Sequence, residues 1–424
     1  MAMRLIGGTA ALALAILFAA AGAAAQQPNT CLECHSILDG PLLVTAEQFA
    51  ADIHSQKGLT CVACHGGDPT SDDMERSMGR AAGFRGKLQR AQIPRLCAEC
   101  HSNAAYMRGF DPSVRTDQYS QYLTSVHGMR LARGDTKVAV CSDCHGVHGI
   151  RPGSDTRSSV HPLNVAQTCA RCHSDAEHMR SYGIATTQLA DYEASVHHKA
   201  LAQRGDLSAP TCSTCHGTHG AAPPGVESVE YVCSTCHVFQ VQLFDTSPHK
   251  PAFSAMGLPA CITCHGNHRI EPTSDAMLGT GPESLCITCH AEGDGGYRAA
   301  GEMHSMLQGL AAAIAASREV LDRAERSGME VSQAQLDLGA ARDVLTKARV
   351  TIHSFRTERV AEEIEKGKEI AAQALAAGEQ ALAERDFRRL GLGVSLVLIL
   401  LVLLSLRIYI RKIESVPPRA GGAP

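Results

Sequence analysis

Apolar and polar positions change rhythm along the chain. Residues 10–20 form an apolar run behind Arg4, and Ala23-Ala24-Ala25 follow before Gln26. A basic start, a short apolar core and a small-residue exit read as an export signal over residues 1–25. From 26 to about 300 the periodicity is weak. Turn formers recur there, as in Gly66-Gly67, Pro152-Gly153 and Pro223-Pro224-Gly225, which predicts short helices joined by irregular loop. Residues 301–388 behave differently. Met303, Leu307, Leu310, Ile314, Val320 and Leu321 fit one helical stripe, and Val344, Leu345, Ala348 and Ile352 another. Val360, Ile364, Ala371, Leu375 and Leu382 continue the pattern, and Gly367 and Gly378 on that stripe weaken it. A turn is expected at Ser327-Gly328, and Thr357 is placed to cap a third helix that runs on as a stalk. The stretch 390–406, continuing to Ile410, is long enough to span a bilayer, so a transmembrane helix is expected over 389–412 and a short cytoplasmic tail over 413–424. The fold expected is mainly α with much irregular loop, a helical hairpin and stalk, and a single C-terminal transmembrane helix.

Composition narrows the possible functions. The formal net charge of -4 on 424 residues gives no case for nucleic-acid binding. Aromatic residues make up only 4%, without a Trp, so a long chain with few large apolar side chains needs another source of buried surface. A bound apolar cofactor would supply it. Glu362 and Lys366 are spaced as a pair on a solvated helix face. The helical region therefore reads as a spacer with a packing surface, with a dimerising coiled coil as the alternative.

The 18 cysteines fall into nine Cys-x-x-Cys pairs, each followed by a histidine. The pairs are Cys31/Cys34, Cys61/Cys64, Cys97/Cys100, Cys141/Cys144, Cys169/Cys172, Cys212/Cys215, Cys233/Cys236, Cys261/Cys264 and Cys286/Cys289. The histidines are His35, His65, His101, His145, His173, His216, His237, His265 and His290. The motifs sit in repeats that start near Cys31, Cys97, Cys169 and Cys233, with the motif at Cys286 closing the series. Each repeat holds two such motifs. Between them stands a third element: an aromatic residue, Ser or Asp three positions on, and His two further. It occurs as Phe49-Asp52-His54, Tyr122-Ser125-His127, Tyr192-Ser195-His197 and Phe244-Ser247-His249. Three repeats extend their second motif by Gly-x-His, to His148, His219 and His268, whereas the first runs Gly66-Gly67-Asp68.

Two thiols three positions apart on a helical turn can add to the two vinyl groups of one haem, and the adjacent histidine then lies beneath the iron. Zinc ribbons and disulfide frameworks also use Cys-x-x-Cys, but neither calls for a histidine after every pair. Nine covalently attached haem c groups are expected over residues 26–300. That leaves about 30 residues per haem, too few for separate apolar pockets, so the haems must stack on one another. Twelve histidines lie outside the motifs, enough to close the second face of nine irons. His54, His127, His197 and His249 lead as distal ligands because they recur at one place in the repeat. His148, His219 and His268 follow, each too near its own motif to reach round the same haem and so directed to a neighbour. Two more come from His161, His178, His198, His304 and His353. His304 and His353 are preferred and His161 is the reserve.

These motifs resemble the multihaem c-type cytochromes built from repeated two-haem units, including class III tetrahaem cytochromes c and larger octahaem and nonahaem proteins. The resemblance covers about residues 31–290. It implies irons held by two histidines, low potentials, closely stacked haems and electron traffic in anaerobic or respiratory chains of bacteria. The stalk and anchor lie outside it. On this basis the expected function is a relay on the inner membrane, with its haem domain in the periplasm. Electrons would pass from a quinol-oxidising membrane subunit or periplasmic donor to another redox protein. The alternative is an oxidoreductase of small nitrogen or sulfur compounds with one open-coordinate haem. The first repeat's missing Gly-x-His favours that alternative, while the plentiful histidines and the lack of Lys in any attachment motif oppose it.

Overall fold

The computed structural model describes residues 29–222 and 229–415. The expected export signal at 1–25 lies outside them, as do residues 416–424 of the tail. The described residues form helices and no β-strand. The chain divides into two compact units, residues 1–223 with 268–270, and residues 224–267 with 271–424. The division does not fall near 300, where the composition changes.

In the first unit the helices are short and their ends are dictated locally. Cys61–His65, Cys141–His145 and Cys212–His216 each stop at the glycine after the histidine. Gly66 and Gly146 take φ of 67° and 83°, the left-handed region that only glycine enters freely. Gly66 is also closed in, since a Cβ there would lie 2.1 Å from the carbonyl oxygen of Gly83. Apolar clusters are small: Leu131, Val138 and Val140 in one place, Ala200, Leu201 and Ala209 in another. That is little apolar packing for so long a segment, as the composition implies.

The second unit has a large core. Helices α1 (Gly295–Arg326), α2 (Ser332–Thr351) and α3 (Thr357–Glu414) form a three-helix bundle, so the expected stalk folds back against the hairpin as its third member. Leu307, Leu310, Leu321, Leu338, Val360 and Ile364 are fully buried. Gly367 and Gly378 do not weaken this packing but permit it. A Cβ on Gly367 would meet Leu310 Cδ2 at 2.6 Å, and one on Gly378 would meet Val320 Cγ1 at 3.0 Å. Ser317 Oγ in α1 lies 2.8 Å from the Ala371 carbonyl in α3, an acceptor outside its own helix. Lys366 bonds Glu363 at 3.1 Å, and Lys347 of α2 reaches the same carboxylate at 3.0 Å, which ties α2 to α3. The turn at Ser327-Gly328 is present, with Gly328 at φ 81°. Thr357 is not a cap. It is the first residue of α3, and Arg356 before it makes no side-chain cap bond.

The segment before α1 belongs to this bundle, which is why the division comes early. Leu278 is buried in the bundle core and Cys286 packs against it. Arg349 of α2 grips Asp275 through two bonds of 2.8 Å. Helix α3 continues past its last buried residue, Leu382, into an 18-residue stretch of mean hydropathy 2.5 with none of it buried. It is the one helix among the described residues long and apolar enough to cross a membrane. Leu310→Ala removes a side chain with no room to collapse around it. It should cost about 2–5 kcal/mol, read as a lower denaturant midpoint for the loss of helical circular dichroism.

Candidate functional site

None of the 18 cysteines forms a disulfide, and the local backbone sets the spacing of each pair. Cys97 and Cys100 share the helix Ile93–His101, and Cys212 and Cys215 the helix Cys212–His216, as expected. Two pairs depart from the expected helical turn. The helix Val229–Ser234 ends before Cys236, and Cys289 follows a single 3₁₀ turn, Cys286–Thr288. The threonine before each of these cysteines takes up a carbonyl of the preceding turn. Thr235 Oγ1 donates to the Val232 carbonyl at 2.8 Å and Thr288 Oγ1 to the Leu285 carbonyl at 2.7 Å, acceptors that an α-helix would give to the next backbone N–H. Cys236 N and Cys289 N turn instead to the carbonyls of Cys233 and Cys286, both at 3.2 Å. His237 N and His290 N reach those same carbonyls at 2.9 Å, so the turn still brings both thiols and the histidine together. The thiols of Cys34, Cys64, Cys215, Cys236 and Cys289 belong to exposed residues, and Cys100 is half-buried.

The third element of each repeat has a mechanical role. Ser125 ends one short helix, Gln118–Thr124, and caps the next, Val126–Ala132. Its Oγ accepts from Gly128 N at 2.9 Å and donates to the Tyr122 carbonyl at 2.6 Å. Ser195 repeats this between His198 N, at 3.2 Å, and the Tyr192 carbonyl, at 2.6 Å. The two tyrosine hydroxyls donate to Ala139 and Pro210, each just ahead of the repeat's second motif, at 2.9 Å. Aromatic, serine and histidine are thus one device that starts a helix at a fixed place and aims the first-turn histidine. Asp52 does the same work differently. It accepts from both the backbone N and Nδ1 of His54 at 2.9 Å, and its other oxygen takes Gly149 N and Ile150 N. Burial pushes its pKa up, but these bonds outweigh that and hold it below the usual carboxyl range.

A backbone strap recurs beside this device. The residue before the histidine donates its N–H to the residue two beyond a later Gly-x-His. Ile53 bonds Ile150, Val126 bonds Ala221 and Val196 bonds Ile270, at 2.7–3.1 Å. Each repeat is therefore tied to the next.

The same connectivity brings imidazoles face to face. First-motif histidines meet the middle histidine of the preceding repeat: His54 with His101, His127 with His173 and His249 with His290, ring centroids 6.0–6.2 Å apart. Second-motif histidines meet the Gly-x-His of the following repeat: His65 with His148, His145 with His219 and His216 with His268, at 5.9–6.2 Å. The last second motif, His265, meets His353 at 6.1 Å. The turn between α2 and α3 delivers His353. It also places Phe355, at φ 50°, with its ring 3.8 Å from that of His249.

Hydrogen bonds orient several of the rings. The Nδ1 of His35 lies 2.8 Å from the Leu42 carbonyl, that of His216 3.1 Å from Ala222, and that of His353 2.9 Å from Val350. His290 Nδ1 faces Asp294 Oδ2 at 3.3 Å. Donating from Nδ1 leaves the Nε2 lone pair free for a metal. Burial lowers the pKa of His65, His101, His127, His145, His173, His219, His249, His265, His268 and His353, keeping them uncharged near neutrality.

The thiols also neighbour one another in chain order. Cys31 is within electrostatic reach of Cys61, Cys64 of Cys97 and Cys100, Cys97 of Cys141, Cys144 of Cys172 and Cys169 of Cys212. In the second unit Cys233 neighbours Cys261, and Cys264 neighbours Cys286 and Cys289. Burial, with Cys212 and Cys215 beside it, pushes the Tyr192 hydroxyl up to about 12.

Comparison with known proteins agrees with these motifs. Residues 53–174 match the cytochrome c3 family, and residues 249–295 match the doubled CXXCH motif. A C-type polyheme cytochrome, OmcC of Geobacter sulfurreducens, is 24% identical over 223 residues. These matches support a multihaem c-type cytochrome with CXXCH units. The OmcC match takes in 46% of this chain and 27% of that relative, so the chain spans about a quarter of it. No solved structure matches significantly.

Two expected donors of the cytochrome lie elsewhere. His304 is not brought to an attachment histidine among the described ring contacts. Its Nδ1 meets the Asp275 carbonyl at 2.9 Å and its ring lies beside Gly279. His161 is buried and caps the helix Pro162–His173, with Nδ1 accepting from Leu163 N at 3.3 Å. That bond puts its proton on Nε2, the reverse of the tautomer a metal needs there. His178 packs on Tyr182 and His198 on Tyr192. The orienting carboxylates Asp52 and Asp294 were not foreseen, although Asp52 stood inside the repeated element. Ser125→Ala and Ser195→Ala should each cost about 1 kcal/mol through the lost cap, seen as a lower thermal midpoint.

Proposed function

We propose that this cytochrome is a membrane-anchored electron relay holding nine haems, most of them between two imidazoles. The observation that carries it is the seven ring pairs at 5.9–6.2 Å, each joining an attachment histidine to a histidine from another part of the chain. A metal–imidazole bond is about 2 Å, and a ring centre lies roughly 1 Å behind its nitrogen. Two imidazoles on one metal therefore stand about 6 Å apart. The rings that donate from Nδ1 and turn Nε2 outward fit the same role. His197 holds the corresponding place in the third repeat and belongs to the same ligand set.

Haem supplies the one-electron chemistry. The chain's part is to close both faces of the iron, fix the ligand planes and keep successive haems adjacent. The order of neighbouring thiols supports electron passage from haem to haem along the sequence within each unit. Asp52 and Asp294, hydrogen-bonded to Nδ1 of His54 and His290, make these rings stronger electron donors and so lower the potential of the irons they face.

Helix α3 provides the anchor, with residues 389–412 in the inner membrane and Arg407, Arg411 and Lys412 toward the cytoplasm. The haem domain then faces the periplasm. The donor is a quinol-oxidising membrane subunit or a periplasmic protein, and the acceptor is another redox protein of an anaerobic or respiratory chain.

Three measurements test this. A haem assay should find nine haems per chain, and the ferric EPR spectrum should contain two low-spin families. The planes of His145/His219, His216/His268 and His265/His353 are within 9–24° of parallel, whereas His54/His101, His127/His173 and His249/His290 are crossed by 60–89°. Parallel donors split the iron d orbitals of π symmetry and give a rhombic signal. Crossed donors leave those orbitals nearly degenerate and give a strongly anisotropic one. Seeing only one family would contradict the ligand pairs. Deleting residues 389–424 should leave the haem count unchanged and release the protein from membranes without detergent.

A further inference from the structure

We infer, on the strength of the haem assignment above, that the haem on Cys31, Cys34 and His35 binds a small exogenous ligand on its second face. The ligands it would take are those that bind a five-coordinate haem: carbon monoxide or nitric oxide when ferrous, cyanide or azide when ferric.

The pairing rule isolates this haem. The first motif of a repeat takes its second imidazole from the middle element of the repeat before. The first motif of the second repeat has His54, that of the third has His127, and the closing motif has His249. Residues 1–30 hold neither an attachment motif nor a histidine that could serve the motif at Cys31. All 21 histidines of the sequence are among the described residues, and none of the described ring contacts reaches His35. The four with no attachment partner are engaged elsewhere: His161 as a helix cap, His178 on Tyr182, His198 on Tyr192 and His304 at Asp275. The missing Gly-x-His of the first repeat is a different matter, because His65 obtains His148 from the second repeat. Of the two haems of the first repeat, only the earlier one lacks a second imidazole.

His35 is nonetheless built as a proximal ligand. Helix Thr30–His35 places Cys31, Cys34 and His35 on one stretch, capped by Asn29, whose Oδ1 accepts from Leu32 N. Thr30 Oγ1 lies 2.9 Å from the Pro69 carbonyl and 2.8 Å from that of Ser71, which holds the start of the helix. The Leu42 carbonyl fixes Nδ1 of His35, leaving Nε2 for the iron. Ile37, 82% exposed, and Leu42, 58% exposed, flank His35 on its proximal side.

The test uses the full-length protein in detergent. The ferric form should show a high-spin signal equal to one haem in nine. After reduction with dithionite, titration should find one carbon monoxide bound per chain. A Cys31→Ala/Cys34→Ala variant should hold eight haems by pyridine haemochrome assay and lose both the signal and the binding. Protein without haem would defeat the assignment on which this site rests. Protein with nine haems, all low-spin and indifferent to carbon monoxide, would overturn this site alone, whether the sixth ligand came from a methionine of the chain or from a second copy. Binding retained by the variant would place the site on another haem and overturn it equally. Should the variant fail to accumulate, the wild-type count decides, because zero or more than one ligand per chain contradicts the proposal.

Discussion

Two imidazoles can share a metal only if their ring centres stand about 6 Å apart with the right nitrogens turned inward. Ordering a freely rotating imidazole costs free energy, so hydrogen bonds that set the rings beforehand favour the metal. Much of this fold serves that setting. The serine caps start helices at fixed residues, the carbonyls of Leu42, Ala222 and Val350 fix tautomers, and Asp52 holds His54 from two sides. The backbone straps bring one repeat against the next so that partners from different repeats meet. In a unit with only small apolar clusters, these polar ties and the haem faces take the place of a conventional core.

In the proposed arrangement most irons draw their two imidazoles from different parts of the chain, so no repeat is complete by itself. Loss of one repeat would unseat ligands in its neighbours. Neighbouring thiols in chain order put successive haems side by side. The same design that holds the structure together therefore lays out the path for charge.

The attachment sites were legible in the sequence because thioether chemistry demands a rigid local spacing. That spacing survives even where Cys236 and Cys289 leave the helix, since a single tight turn keeps thiol and histidine in place. The middle element was visible as a repeat, and its role became clear only from the bonds of Ser125 and Ser195. Partner choice was less legible, since it crosses repeats. His304 and His353 look alike in sequence, each a lone histidine in a helical region. What separates them is the turn at 352–356, which carries His353 to His265, while His304 meets a carbonyl of its own unit. The division into compact units falls ahead of the change of composition near 300 because packing does not follow composition there. Leu278, Asp275 and Cys286 already belong to the bundle. Gly367 and Gly378, which look like flaws in an apolar stripe, are where helices press closest, and only three-dimensional neighbours reveal that.

The unbroken run of α3 has a geometric consequence. The turn that supplies His353 lies at its start, and Arg385, near the other end, bonds Ser327 at the far turn of the bundle at 3.1 Å. With residues 390–410 in lipid as proposed, the helix from 357 to 390 is a mast of about 50 Å, at 1.5 Å per residue. Standing along the membrane normal, that mast would lift His353 and the ring it faces well above the headgroups. A hydrophobic reductant dissolved in the bilayer could not touch them. Any donor to that end of the molecule must itself stand tall or arrive through the aqueous space.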